Sequence, residues 1–463
     1  MLLTSQYLDK LFWKKLVAIG LPVSLQSMLF SLLGAIDIFM VSQLGESATA
    51  AVGVGSRIFF FNLLTIFGLC GAVAVLAAQY SGAGNTSGIR TTLAQSWGIA
   101  ITTTLPFITI YLLFSEEVVA FVSDSSEYQQ YAIEYLEVTA LSLLCTAIVV
   151  PMESVLRAVG EAKLPTQVSI IAIIVNVILN AVLIFGWFGF PQWGVFGAAV
   201  GTLLSRIVQT VLLSYFFLCR YRHLIPTKHD WQQAKLPHQR QRYLKITLPM
   251  LIHDSTWAAG LLVYSVIYGQ LGVAELATMA FLSPFEGMLI SCFMGFAVAA
   301  SVLLGNDIGA HNYQRAENTA WWYVIISTGL ATLLFLLVWA SSSWLVKLLT
   351  HSPLSNPQLA LNVCLVMVFG MILRVFNMVG IGGVLKSGAD IRYSIFIDLL
   401  GQWGVSIPLT YYTGIVLGLP LYWVLMSLLA EELVKMILTS RRIQSRRWLN
   451  NVIDDNGSHS VTA

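Results

Sequence analysis

Asp37 is the residue best placed for chemistry: a lone carboxylate inside Leu32-Leu33-Gly34-Ala35-Ile36-Asp37-Ile38-Phe39-Met40, with no basic residue within a helical turn. Ionisable groups in so apolar a run are costly and mark ion or substrate pathways. Pro22 stands fifteen residues earlier; its ring removes a helix hydrogen bond and permits a bend. A carboxylate in such a helix can bind a proton or Na+ and change the bend. The competing reading is a structural pair with Arg57 of the next span. Asn176 and Asn180 are four apart and share one helix face. Thr202 follows Gly194, Gly197 and Gly201, a spacing that lets helices approach closely. Asp37, Asn176, Asn180 and Thr202 together would form a buried, oxygen-rich pocket, with Tyr135 as a further candidate. Amides and hydroxyls suit a carboxylate that changes protonation state, because they stabilise both forms without adding charge. For each asparagine alone, a hydrogen bond between helices is the competing role.

A second polar set lies in the later half: His253, Asp254, Glu286, Arg374, Asn377 and Asp398. Arg374 is expected to pair with Asp398 or Asp254. Glu153 and Arg157, at i and i+4, are expected to pair locally. Catalytic chemistry finds no residues here. There is no GxxxxGK[ST] phosphate loop, His253-Asp254 and His311 have no companions at metal-ligand spacing, and no Ser/His/Asp or Cys/His set is discernible. The five cysteines lie in or beside apolar segments without a CxxC pair, as small core residues do. The expectation is a protein that is not an enzyme, needs no metal or cofactor, and binds no nucleic acid.

The elements that must position these groups are membrane helices. The chain is 57% hydrophobic and 10% charged, whereas soluble domains run at about 45–50% and about 25%. Ile171–Ile184 and Thr328–Ala340, with their flanks, can cross a hydrocarbon core of roughly 30 Å at about 1.5 Å per residue. Continuous apolar blocks instead of alternating ones exclude a β-barrel. Lys10, Lys14 and Lys15 precede a full-length span, so no cleavable signal is expected.

Polar and Gly/Pro punctuation gives twelve spans, beginning near Lys14, Thr49, Arg90, Tyr128, Leu164, Trp193, Tyr243, Leu276, Arg315, Pro357, Arg392 and Leu419. The one long polar connection runs from Arg220 to Arg242. The organisation expected is therefore 1–219 as an N-terminal six-helix lobe, 220–242 as a cytoplasmic linker, 243–440 as a C-terminal six-helix lobe and 441–463 as a cytoplasmic tail. Lys and Arg cluster in the segments that are inside when both termini are cytoplasmic, the Lys435–Arg447 region among them. The outer loops hold essentially Lys347, with the acids Glu46, Glu116, Glu117 and Asp124.

The chain is duplicated. Leu21-Pro22 recurs as Leu248-Pro249, Gln43-Leu44-Gly45 as Gln270-Leu271-Gly272, and Gly82-Ala83-Gly84-Asn85 as Gly309-Ala310-His311-Asn312; 248 − 21, 270 − 43 and 309 − 82 each equal 227. Val155-Leu156-Arg157 returns as Val384-Leu385-Lys386 at an offset of 229. Six spans per half make these parallel repeats, an architecture of transporters that work by alternating access. The position matching Asp37 is Tyr264, since 37 + 227 = 264.

These motifs, in this order, resemble the MATE (multidrug and toxic compound extrusion) transporters from about Lys14 to Arg442. The carrying residues are Leu21-Pro22, Asp37, Gln43-Leu44-Gly45-Glu46, Gln79 to Gly84, Val155 to Gly160 and Asn176/Asn180, with the second-half echoes ending in Val384 to Asp390. The resemblance implies twelve helices in two lobes forming a V, and export of cationic or amphipathic drugs in exchange for H+ or Na+. It implies Asp37 as the coupling carboxylate among Asn176, Asn180 and Thr202. Where NorM-like and eukaryotic-like branches carry a glutamate eight residues after the seventh-span proline, this chain has Trp257, so it looks like the DinF-type branch. Some relatives there carry Asp where this chain has Asn180; a single acid favours H+ over Na+. The expected protein is a monomeric drug/H+ antiporter of a bacterial inner membrane, with helix bending at Pro22. The alternatives are a flippase for lipids or lipid-linked precursors, and a non-transporting receptor or intramembrane enzyme.

Overall fold

The computed structural model describes residues 5–122, 126–349 and 357–454. Asp124 and the two chain ends lie outside the described residues. Within them the fold is all-α, with twelve long helical segments: α1 Lys10–Ser42, α2 Glu46–Gly82, α3 Thr86–Leu113, α4 Ser126–Ala158, α5 Lys163–Phe185, α6 Gly194–Arg220, α7 Pro237–Leu271, α8 Val273–Gly309, α9 Tyr313–Ala340, α10 Pro357–Asn377, α11 beginning as Ile391–Asp398, and α12 Leu421–Gln444. Ten helices among the described residues are long and apolar enough to cross a membrane. The other two are α11, broken by π-helical turns, and α12, which carries Glu431, Glu432 and Lys435. The chain is thus a multi-pass membrane protein, and the helix starts fall within several residues of those read from the sequence.

The repeated motifs are helix ends, and their backbone explains why they recur. Gly45 and Gly272, 227 apart, both have positive φ (114° and 150°) in the turns that join α1 to α2 and α7 to α8. Gly84 and His311 end α2 and α8 in the left-handed region, at φ 67° and 59°. Gly160 and Ala389 do the same after α4 and α10, at 88° and 56°. Glycine adopts this conformation freely, whereas His311 and Ala389 carry a steric cost of roughly 1–2 kcal/mol each. A helix end fixed by such a geometry resists drift even where the apolar faces around it change.

The described chain forms two compact units, Leu29–Leu251 and Met1–Met28 with Ile252–Ala463. Both divisions fall inside a proline-containing helix, shortly after Pro22 in α1 and Pro249 in α7. In the C-terminal unit the early part of α1 lies tightly on α8. A Cβ on Gly20 would stand 3.4 Å from the Gly295 carbonyl oxygen, and Ser24 Oγ donates to the Cys292 carbonyl at 2.5 Å. In the N-terminal unit the early part of α7 lies on α2: Met250 Sδ fills the space a Cβ on Gly71 would take, and the Tyr243 hydroxyl donates to the Leu69 carbonyl at 2.9 Å.

The segment 220–242 is ordered. It holds a short helix, Lys228–Ala234, opened by a capping box in which Thr227 and Asp230 bond each other's backbone, and α7 already starts at Pro237. Ser87 Oγ (3.0 Å) and Arg90 Nε (2.7 Å) of α3 also donate to the buried Asp230 carboxylate. After α12 the chain folds back so closely that a Cβ on Gly388 would collide with the Trp448 carbonyl.

Candidate functional site

In the N-terminal unit the sequence-predicted pocket residues meet. The part of α1 beyond Pro22 presents Asp37, half-buried, and Asn180 Nδ2 of α5 donates to its Oδ1 at 2.8 Å. The same nitrogen lies 3.2 Å from Asn176 Oδ1, one turn away on the shared face. Asn176 Nδ2 in turn reaches Thr202 Oγ1 (3.5 Å) and Ser205 Oγ (3.3 Å) of α6. Both asparagines are almost wholly buried, at 2% and 1% exposure. The glycines explain how α5 and α6 come so close. A Cβ on Gly197 would lie 2.6 Å from the Leu183 carbonyl oxygen, and one on Gly201 would lie 2.2 Å from Asn180 Oδ1. That amide oxygen is buried and has no hydrogen-bond partner among the described residues. The pocket therefore offers carboxylate, amide and hydroxyl oxygens on one side of α5.

Tyr135 of α4 belongs to the pocket's apolar wall. Its ring covers Gly55, where a Cβ would stand 2.5 Å away, and packs with Val41, Val52 and Ile184. Its hydroxyl interacts with Ser56 and feels the charge of Asp37. Arg57 is exposed and the hydrogen-bond partner of Asp37 is an amide. Arg206, one turn past Thr202, contributes an electrostatic attraction to Asp37. Its guanidinium is directed to Gln209 Oε1 (2.9 Å) and stands 5.3 Å from the Phe30 ring centroid.

A polar chain that sequence reasoning does not reach continues away from the pocket. Gln209 Nε2 donates to Ser169 Oγ (3.1 Å) and approaches Glu153 Oε1 (3.4 Å), and Glu153 accepts from Arg157 at 2.7 Å. The local Glu153–Arg157 pair is therefore present, embedded in a longer network. Ser205 and Gln209 lie three and seven residues past Thr202, a helical spacing that is visible in the sequence.

In the C-terminal unit the second polar set divides into two groups, and the expected pairing of Arg374 is corrected. Arg374 bonds Glu286 of α8 and lies 3.5 Å from Glu432 of α12, and Asn377 Nδ2 donates to Glu432 Oε2 at 2.7 Å. Asp254 and Asp398 are held elsewhere. His253 stands between them, Nδ1 2.9 Å from Asp254 Oδ1 and Nε2 bonded to Asp398 Oδ2. Lys435 of α12 bridges Asp398 (2.7 Å) and Glu431 (2.6 Å), and the Tyr264 hydroxyl donates to Glu431 at 2.9 Å. Lys435 is expected among the positive charges of the cytoplasmic side, but its side chain is only 8% exposed, within this network. The i,i+4 pair Glu431/Lys435 inside the twelfth span is the signal that could have found it. Among the described residues no group of three or more His, Cys, Asp or Glu could hold a metal ion.

Twelve long helical segments among the described residues, in two repeated halves, a half-buried carboxylate among neutral donors, and proline-containing helices at both unit divisions define a secondary-transporter architecture. The MatE family model matches residues 22–182 and 249–412, one stretch in each repeat. The chain belongs to this family, the MATE transporters. It is 24% identical to an uncharacterized transporter, YisQ, of Bacillus subtilis over 95% of this chain and 96% of that protein. It is 23% identical to a probable multidrug resistance protein, NorM, of Thermotoga maritima, covering 94% and 93%. Its fold matches that of an outward-facing multidrug resistance MATE transporter with a TM-score of 0.85, at 18% identity, over 93% of this chain and 96% of that one.

Proposed function

We propose that this protein exports cationic or amphipathic compounds from bacterial cells by exchange for protons, with Asp37 as the coupling group. The observation that carries the reading is the Asp37–Asn180–Asn176–Thr202/Ser205 chain, in which a half-buried carboxylate is met by amides and hydroxyls. Such donors hold either charge state, so proton binding changes the net charge of the pocket and leaves its framework in place. Membership of the MATE family and the names of its multidrug relatives support the substrate class. Trp257 where other branches carry glutamate supports coupling in the first lobe, as in the DinF-type branch.

The cycle begins in the outward-facing state, where Asp37 takes a proton. Its bond from Asn180 then weakens, because a neutral acid accepts less strongly. The helix bends near Pro22, where the proline removes a backbone bond, the pocket contracts and the substrate leaves outward. In the inward-facing state the proton leaves to the cytoplasm and the cavity reopens. Two six-helix lobes joined by the 220–242 linker carry this motion, in a monomer with both termini cytoplasmic. The Lys and Arg bias supports that orientation.

The test is proton flux in proteoliposomes under an imposed pH gradient, on addition of an ethidium-like cation, with Na+ varied. Wild-type flux that is lost in Asp37→Asn and indifferent to Na+ supports the reading. Strict dependence on Na+ would overturn proton coupling, and full transport by Asp37→Asn would overturn the assignment of the carboxylate. Dye binding without flux in either protein would redirect the substrate to a lipid-linked compound.

A further inference from the structure

We propose that His253 is a second proton-binding site, built into the C-terminal unit apart from Asp37, whose proton clasps α7, α10, α11 and α12 together. The imidazole has a carboxylate on each nitrogen: Asp254 Oδ1 at 2.9 Å from Nδ1, and Asp398 Oδ2 bonded to Nε2. A neutral imidazole has one N–H and one lone pair, so one of these contacts would set a lone pair against a carboxylate. Only the doubly protonated ring donates to both.

The surrounding charges agree. Facing His253 are Asp254 on its own helix, Lys386 at the end of the α10 segment, Asp398 on α11, and Lys435 and Glu431 on α12. With His253 protonated the set holds three positive and three negative groups. Without that proton it carries one uncompensated negative charge in a low-dielectric setting, which is costly. Lysine keeps its charge under ordinary conditions, so histidine is the member suited to change.

Access and backbone favour reversibility. Lys435 is 8% exposed, whereas Asp254, on the Nδ1 side of the ring, is 24% exposed, so Nδ1 faces the more open side of the network. Asp398 immediately precedes the π-helical turn Leu399–Ser406, and Lys386 immediately follows the π-helical turn Met378–Leu385. π-Helical turns concentrate at functional positions and carry strained hydrogen bonding. Releasing the ring from Asp254 or Asp398 therefore frees segments whose backbone is already irregular. Asp37 and Asn180 are not involved, so the site adds a second titrating group to any cycle the first performs.

The transport role of this site rests on the antiport reading; the proton-binding claim does not, and it is tested first. Replacing the other six histidines by glutamine leaves His253 alone, and 15N NMR of the labelled protein in nanodiscs then reports both ring nitrogens. The expected result is an imidazolium at pH 7 that converts to a neutral ring between pH 7 and 10, and a neutral ring already at pH 7 in Asp398→Asn. A ring already neutral at pH 7 in the otherwise unaltered site would overturn the proposal, as would an imidazolium unchanged to pH 10, which is a fixed structural charge. Should the six-fold variant fail to fold, the His253 signal is assigned in wild type by its loss in His253→Gln or His253→Arg. The same titration in Asp37→Asn is expected to be unchanged. A normal titration there with no proton flux in any protein would sink the antiport reading and leave this one standing.

Discussion

At equivalent positions of the two halves stand Asp37 and Tyr264, and the surroundings of each make opposite use of one scaffold. Asp37 is met by neutral amides in a pocket with one acid. Tyr264 donates to Glu431, which Lys435 already neutralises within a run of alternating charges. The N-terminal pocket can gain or lose charge without losing its framework. The C-terminal network is held by charge itself, so removing one member leaves another unpaired. Duplication supplied the helices and their ends; divergence surrounded one of the two equivalent positions with neutral donors and the other with paired charges.

The comparison breaks most completely at Asp37. Asp37→Asn is expected to insert and fold, because an amide can still accept from Asn180, while export falls to background in the proteoliposome assay. Lys435→Met should do the reverse. It leaves Asp398 and Glu431 without their cation in a largely buried setting, and breaking such a network costs about 3–5 kcal/mol. Thermal unfolding in detergent should show a clear loss for Lys435→Met and little change for Asp37→Asn. Equal destabilisation by both would erase the distinction between the halves.

The legible parts of the sequence are those with local causes. Helix spans follow from apolar length, and the repeat shows at Gly45/Gly272 and Gly84/His311 because a positive φ at the turn confines the residues there. Asn176 and Asn180 can be assigned one face because four residues make a turn. Partner choice is not legible. Arg374 has several acids within reach of a plausible packing, and which one it meets depends on the rotation of α8 and α12, which no short-range pattern fixes. Lys435 misleads because a lysine near a span end also satisfies the positive-inside bias. The π-helical turns of α10 and α11 leave no signal, since an added residue in a helical turn alters hydrogen bonding without changing apolar content.

A smaller effect tests the neutral character of the first pocket. Asn180→Asp adds a second carboxylate beside Asp37, and two acids sharing a site either hold a proton or require a cation. Export by this variant is expected to acquire several-fold stimulation by Na+, where wild type has none. Stimulation of both proteins would mean that the amide-lined pocket already takes Na+. Smaller again is Tyr264→Phe, which removes one hydrogen bond to a charged acceptor. About 1.5–3 kcal/mol of stability should go, with transport retained. A transport defect as deep as that of Asp37→Asn would make the two halves functionally alike after all.

The mildest contrast lies in how each half ties down the chain beyond its sixth helix. Position 90 on α3 and position 317 on α9 correspond through the same offset of 227. In the first half Arg90 binds Asp230 of the short helix Lys228–Ala234 at 2.7 Å, and in the second Glu317 binds Arg446 at 2.7 Å, with the charges exchanged. Asp230 lies in the short helix Lys228–Ala234, outside the spans. Burial alone would raise its carboxyl, but hydrogen bonds from Thr227, Arg90 and Ser87 outweigh burial and hold it at about 2, below its ordinary 3.8. A carboxyl depressed in the folded state stabilises docking fully above its ordinary value, and that stabilisation is lost as pH falls from about 4 towards 2. Nitroxides at His229 and Thr102 should therefore show a distance distribution that broadens over that interval in wild type. In Asp230→Asn the distribution should already be broad at neutral pH and change little on acidification. Identical acid behaviour of the two proteins would mean that the apolar rest of the short helix holds this segment on α3 and that Asp230 is incidental to it.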